Sequence, residues 1–584
     1  MKKHFILLSF VLLNITAVAQ DQSPKAIAWA DSVLNSLSEE QRIAQLMVLR
    51  LSSYDFKTKN PIYFDSLVTE KVKRYNIGGI CLFQGSPVKL GSIVNNLQSI
   101  AKTPLMVCID GEWGVGMRLF DSVQALPRQM MLGAVQDKNI IYQYGKLVAE
   151  QCKRLGITVN YAPVVDVNNN PNNPVINDRS FGEDKYKVAA YGIEYMKGMQ
   201  DAGVMACAKH FPGHGDVAVD SHLDLPVINK SMAQLDSLEL YPFREIFKAG
   251  VGSVMIAHLY IPAIDSSKNR ATSISKKNVN DLMRKELGYE GLTFTDALEM
   301  QGVQKFFPGG EASVQSIIAG NDMLCLPTDV EGTIKKVKDA IAKKQLSWDD
   351  INYHCKKVLL AKYQYGGEKI AAVKLDSIAT DLNKGIPEMK KLVAENVITL
   401  LNKKDNSIFP LQKTDSNKIA FIAIGVNGEN DLAKRLKNEY GAAVYYFDYK
   451  QNYARVASLV TQLKDYSKVI IGIHNYNRKP ENNFGISAPA IDLVTQLQEK
   501  TNSATFVFGN PYSIKNFCNA PNLVACYEDD PIIQNAAADF LMGKIPAKGV
   551  LPVTVCEEYK FGSGITTGFF LPQIKMTNST LSIR

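Results

Sequence analysis

From about residue 40 to 365 the chain alternates short, almost wholly apolar runs with stretches whose apolar residues recur at helical spacing. No other feature restricts the fold as much. The runs are Gly78 to Phe83, Leu105 to Ile109, Thr158 to Val167, Val204 to Ala208, Ser253 to Ala257, Leu292 to Thr295 and Met323 to Leu326. Segments between them, such as 139–155 and 279–287, read as helices. A strand that is apolar on both faces has to be covered on both faces, which means a parallel sheet between helices. Seven or so such repeats within about 325 residues fit a closed α/β barrel of the TIM type better than an open sheet.

The pattern breaks between Tyr363 and Pro387, where Gly366-Gly367 opens a polar stretch, and then resumes. Apolar runs at Ile419 to Ile424, Val469 to Ile473, Ala504 to Phe508 and Leu523 to Cys526 predict a smaller α/β sandwich. The expected organisation is a leader at 1–19, a barrel at 20–365, a linker at 366–385, the sandwich at 386–575 and a tail at 576–584. Gly425-Val426-Asn427-Gly428 lacks the GxGxxG spacing of a dinucleotide site, and no cofactor is implied.

Lys2 and Lys3, the apolar run Phe5 to Leu13 and the small residues of Ala17-Val18-Ala19 make a secretory signal with cleavage after Ala19. That run is shorter than the ~20 residues a bilayer span needs, so the expectation is an exported protein, periplasmic or extracellular, with no membrane span. The formal charge is +8, but no run of five or six basic residues concentrates it, which excludes a nucleic-acid partner. Nine cysteines lie scattered without a CxxC pair. Several sit in apolar surroundings and read as buried thiols, with room for one disulfide in an oxidising compartment. Nothing in the sequence speaks to oligomeric state.

Ionisable residues stand at or just past the ends of the barrel runs: Asp110, Asp166, Lys209-His210, His258 and Asp296. In a parallel barrel the carboxyl ends of the strands form the active-site face. The densest segment is Lys209-His210-Phe211-Pro212-Gly213-His214-Gly215-Asp216, followed by Asp220-Ser221-His222, which reads as a loop after its run. Zinc is the competing use of three histidines, but Pro212 and Gly213 keep His210 and His214 off a shared helix face, and no metal is expected. Asp220, two residues before His222, can accept a hydrogen bond from that imidazole, fix its tautomer and raise its basicity for proton transfer. Asp296, closing an apolar strand, can attack an electrophilic carbon, although a carboxylate there can equally cap a helix.

Taken together, KHFPGHG with DSHLDLP, TFTDALEM, DRSFGED and AHLYIPAID, in that order, resemble glycoside hydrolase family 3 and, within it, the bacterial β-N-acetylglucosaminidases. The resemblance extends into the second unit through ENVITLLNKK and KGVLPVTV. It implies retaining hydrolysis of terminal β-linked N-acetylglucosamine from cell-wall muropeptides or chitooligosaccharides. Asp296 is then the nucleophile, His222 the acid/base and Asp220 its partner, with Asp110, Arg118, Arg179, Lys209 and His210 holding the sugar. The segment IDGEWGVGMRL departs from the commoner DQEGGR form, while Asp110 and Arg118 keep their spacing; Trp113 is either a stacking platform or a core residue. Competing activities are those of a β-glucosidase, a β-xylosidase or a β-N-acetylglucosaminide phosphorylase. Because the barrel already supplies nucleophile, acid/base and sugar ligands, the second unit is expected to be structural for catalysis.

Overall fold

The computed structural model describes residues 22–217, 224–412 and 418–568. Asp220 and His222, and the leader with its cleavage site, lie outside the described residues.

The first body is built on β1 (Met47–Arg50), β4 (Gly79–Leu82), β5 (Met106–Ile109), β6 (Val159–Asn160), β7 (Met205–Phe211), β8 (Ser253–Ile256), β9 (Leu292–Thr295) and β10 (Leu324–Cys325). A separate hairpin of β2 (Ser52–Asp55) and β3 (Asn60–Tyr63) follows β1 directly. The eight strands pair in parallel in the order β10-β1-β4-β5-β6-β7-β8-β9. The ring closes where Met323 N–H donates to Thr293 O at 2.8 Å and Thr295 N–H to Met323 O at 3.0 Å. Strands such as GICL, MVCI and LTFT are buried at every residue because one face fills the barrel and the other meets helices.

The helices follow their sequence. In Lys138–Arg154, Asp137 caps the first turn, Ile140, Ile141, Tyr144, Val148 and Cys152 form the buried stripe, and Lys153 and Arg154 close the last turn. It packs against Lys185–Asp201 through glycines: a Cβ at Gly145 would stand 2.3 Å from Tyr195 O, and one at Gly198 would stand 2.1 Å from Tyr142 O. Only glycine permits that approach. Residues 279–287 lie within a helix at Lys277–Glu286, apart from its C-cap Leu287.

Two runs differ from expectation. Of Thr158 to Val167 only Val159–Asn160 is strand, since Pro163 lacks the N–H that a continuing ladder requires. β7 runs on through Phe211, so Lys209 and His210 belong to a strand and not to the loop after it. β1 went unread because Met47–Arg50 follows the helical Glu39–Ala44 without a turn signal.

The second sheet has the order β11-β16-β15-β14-β12-β13, from β11 (Thr399–Lys403), β12 (Ile419–Ile424), β13 (Ala443–Phe447), β14 (Lys468–Ile473), β15 (Ser503–Val507) and β16 (Asn522–Ala525). All pairings are parallel except β11 with β16. Its loops grip the barrel's strand-end face. Asn168 Nδ2 donates to the Tyr512 hydroxyl at 2.9 Å, Asn510 Nδ2 to Asn177 Oδ1 at 2.7 Å, and Thr554 N–H and hydroxyl to the Glu183 carboxylate at 2.8 and 2.6 Å. Seven cysteines are buried free thiols, and Cys518 pairs with Cys556. Among the described residues no helix is long and apolar enough to cross a membrane.

At the opposite end of the barrel Asp322 is wholly buried. It accepts from Arg284 at 2.7 Å, from Lys357 at 3.0 Å and from Thr293 N–H at 2.9 Å, and it meets His354 Nδ1 at 2.7 Å. Burial alone raises its carboxyl pKa, but Lys357, Arg284 and His354 outweigh that and hold it well below the usual range. Asp322→Ala removes the carboxylate that buried Lys357 and half-buried Arg284 share, and should cost about 3–5 kcal/mol of unfolding free energy in urea while leaving kcat of the folded fraction within about twofold. Because the folded pKa is depressed, the stabilisation is full above the unfolded value of about 3.9 and fades as pH falls below it, so wild type and variant should converge in acid.

Candidate active site

Every strand of the barrel sends a residue into one cavity of about 600 Å³ at the carboxyl ends. These are Arg50 from β1, Phe83 after β4, Asp110 after β5, Tyr161 after β6, Lys209 and His210 from β7, Met255 from β8, Asp296 after β9, and Cys325 with Leu326 at β10. Arg118 and Arg179 join from loops, so Asp110, Arg118, Arg179, Lys209, His210 and Asp296, expected on a shared face, lie in a single site.

The floor is a chain of charges. Lys209 Nζ, on a side chain 2% exposed, bridges Asp110 Oδ1 at 2.5 Å and Glu112 Oε1 at 2.8 Å. Arg179 grips the same Glu112 through Nε at 2.9 Å and a terminal nitrogen at 2.5 Å, a forked geometry that only arginine offers. Arg118 donates to Asp110 Oδ2 at 2.5 Å and to Asp110 O at 2.9 Å. Burial raises the Asp110 and Glu112 carboxyls, but Lys209, Arg118 and Arg179 around Asp110, and Arg179 and Lys209 around Glu112, hold both below the usual range. Their charges therefore persist through neutral and mildly acid pH. Such a set offers carboxylate acceptors and cationic donors at fixed points, which is what the hydroxyls of a sugar require.

His210 is oriented from behind. Its Nδ1 lies 2.7 Å from Asp166 Oδ2, and Arg179 donates toward its Nε2 across 3.4 Å, so in the neutral ring Nδ1 carries the hydrogen. Asp166 Oδ1 also accepts the N–H groups of His210 at 3.2 Å and His214 at 2.7 Å. Burial raises the Asp166 carboxyl, and His210 beside it more than offsets that. His214, wholly buried beside His210, is held down to about 4 and stays neutral at pH 7.

Asp296 stands one residue past β9, half-buried, with its N–H donating to Ile256 O at 2.8 Å and its Oδ1 accepting from Ala297 N–H at 2.7 Å. Buried His258 fixes this turn: Nε2 meets Ala297 O at 3.0 Å and Nδ1 meets the Ser273 hydroxyl at 2.7 Å. A carbonyl only accepts, so Nε2 carries the hydrogen and the hydroxyl donates to Nδ1.

Sequence reading missed several of these residues. Glu112 was masked by the atypical DGEWG segment, although an acid two residues past Asp110 was a usable signal. Asp166 and His258 stood out at strand ends without a role. Arg478 and Lys479 come from the loop after β14 in the second unit and line the cavity as well, so that unit supplies part of its wall. Arg478 clamps Asp178 by two bonds of 2.7 and 2.8 Å, next to Arg179 in sequence. Trp113 lines the cavity half-buried and packs on the core at the same time, with the guanidinium groups of Arg128 and Arg478 at 4.8 and 5.8 Å from its ring.

The profile of the glycosyl hydrolase family 3 N-terminal domain matches residues 38–361. The chain belongs to glycosyl hydrolase family 3. It is 31% identical over 416 residues to beta-hexosaminidase A of Pseudoalteromonas piscicida, covering 64% of this chain and 69% of that protein. To the beta-N-acetylglucosaminidase/beta-glucosidase of Cellulomonas fimi it is 24% identical over 567 residues, 93% and 98% of the two chains. Among solved structures, the family 3 beta-N-acetylglucosaminidase of Paenibacillus sp. str. FPU-7 superposes with a TM-score of 0.73 at 30% identity, covering 89% of this chain and 99% of that one. The fold of a barrel followed by an α/β sandwich is thus a family 3 fold, and the chain is a glycoside hydrolase.

Asp166 is buried outside the cavity lining and holds the His210 ring from behind. Asp166→Asn keeps the shape and removes the charge, a change worth about 1.5–3 kcal/mol for a charged hydrogen bond, and kcat/KM should fall about ten- to hundredfold. The loss should fall mainly on KM, read from initial-rate kinetics with the melting temperature as a control for folding. An unaltered KM would show that His210 needs no such support.

Proposed function

We propose that this chain hydrolyses terminal β-linked N-acetylglucosamine from cell-wall muropeptides or chitooligosaccharides with retention, through a covalent glycosyl-Asp296 intermediate. The observation that carries the reading is Asp296 facing the Asp110–Lys209–Glu112–Arg179 chain across one cavity, in a chain whose relatives are hexosaminidases. With the sugar's hydroxyls held by that chain, its anomeric carbon is offered to the Asp296 carboxylate. Retaining enzymes need a second group to protonate the leaving oxygen and then activate water. Of the other carboxylates that line the cavity among the described residues, Asp110 is held by Lys209 and Arg118, and Glu299 is in an ion pair with Arg50. His222 takes this part in our reading, with Asp220 holding its tautomer. In support, Asp220 and His222 follow His214, which lines the cavity, by six and eight residues in the sequence. An imidazole delivers a proton without adding a second negative charge beside Asp296.

Export is part of the proposal. The leader supports it, and so does the Cys518–Cys556 disulfide, a bond that persists in oxidising compartments. Amino-terminal sequencing of native protein should begin at or near Gln20, and intact Met1 in a cytosolic fraction would contradict export.

Asp296→Ala should abolish turnover on every substrate, because no glycosyl-enzyme forms. His222→Ala removes only proton transfer, worth about 10²–10⁴-fold on substrates with poor leaving groups. On a dinitrophenyl glycoside it should show a burst of phenolate, accumulate the intermediate, and yield a β-glycosyl azide when azide is added. Asp220→Asn should give a milder version. Equal slowing of His222→Ala on activated and unactivated substrates, without azide product, would overturn the acid/base assignment.

A further inference from the structure

The hairpin of β2 and β3 springs from the end of β1 and joins neither large sheet. It carries Tyr54 and Phe56 edge to face at 5.0 Å, and Tyr54 meets Phe120 in the same manner at 5.2 Å. Phe56 is 76% exposed and Phe120 46%. Isolated exposed apolar residues are ordinary, but three adjoining rings on one rim are not.

The place of the cluster says what it is for. Arg118, which lines the active-site cavity, stands two residues before Phe120, and Arg50, also in its wall, stands two residues before Ser52 of the hairpin. The Ser52 hydroxyl accepts the N–H of Phe83, another wall residue, at 3.0 Å. The end of β1 and the loop after β5, both in the cavity wall, therefore lead into the cluster. An aromatic face carries negative charge density, and the C–H face of a pyranose ring offers the positive complement. The hairpin turn that follows Phe56, Lys57 to Asn60, is exposed and polar. A stable protein interface needs about 800 Å² per partner, far more than three rings provide.

We propose that Tyr54, Phe56 and Phe120 form a saccharide-binding platform at the rim of the cavity, stacking on further pyranose rings of the glycan that the enzyme trims. This rests on the reading of the cavity as a site for N-acetylglucosamine, and it adds a second contact with the polymer outside that cavity. The platform holds chain, and does no chemistry.

The test separates the two readings. Asp296→Asn protein is titrated with chitohexaose and with N-acetylglucosamine, with and without Phe56→Ala plus Phe120→Ala. Affinity for chitohexaose should fall about tenfold, or about 1.4 kcal/mol, while affinity for the monosaccharide stays the same. In the active chain, kcat/KM on chitohexaose should fall in parallel and that on an aryl N-acetyl-β-glucosaminide should not; Phe56→Tyr should retain the wild-type value. An unchanged chitohexaose affinity, or an equal loss for hexaose and monosaccharide, overturns the platform. Wild-type protein inert on the aryl glycoside would contradict the proposed function, and the chitohexaose titration would still decide the platform.

Discussion

The ammonium group of Lys209 is the interaction on which the site depends. It is buried between two carboxylates, Asp110 and Glu112, and an unpaired charge at such a place would cost several kcal/mol. The pairing therefore fixes β7 against the segment after β5, and Glu112 in turn fixes Arg179 and the turn at Asn177–Arg179. From that turn Asp178 reaches Arg478 of the second sheet. Two sets of ion pairs, joined through adjacent Asp178 and Arg179, thus run from the cavity to the interface between the two α/β bodies. In the proposed function the charges that order the loops are also the ones offered to a sugar, so the binding geometry would be fixed before substrate arrives.

Around this chain the barrel separates its tasks by end. Asp322 with Arg284, Lys357 and His354 ties outer helices to the end of the barrel opposite the site. The carboxyl ends carry Asp296, His210 and the loops. His258 and Asp166 stand behind these two, the one bonded to the turn after Asp296 and the other orienting the His210 ring. The second sheet closes the mouth with Arg478 and Lys479 and is held in place by Tyr512, Asn510 and Thr554.

Much of this was legible in the sequence. Apolar runs buried on both faces announce parallel strands, and β9 and β12 begin and end where their runs do. That Asp110 and Arg118 meet in one cavity was legible because their spacing survives the substitutions around them. What stayed hidden depends on contacts distant in sequence. Glu112 acquires its meaning only once Lys209 and Arg179 arrive, and Arg478 only once a second sheet docks beside Asp178. β13 (Ala443–Phe447) went unread because two tyrosines make its pattern half polar, which fits its place at the edge of the sheet.

The central claim is a covalent bond between Asp296 and the sugar, and trapping that bond tests it most directly. A 5-fluoro-N-acetyl-β-glucosaminyl fluoride forms a glycosyl-enzyme quickly and releases it slowly, because fluorine destabilises both oxocarbenium-like transition states while fluoride is a good leaving group. After brief reaction, quenching and proteolysis, mass spectrometry should place one fluorosugar on the peptide that contains Asp296. A label on any other carboxylate, or an intact mass without a sugar while fluoride is still released, would contradict the account; the latter would point to attack by the substrate's own acetamido oxygen.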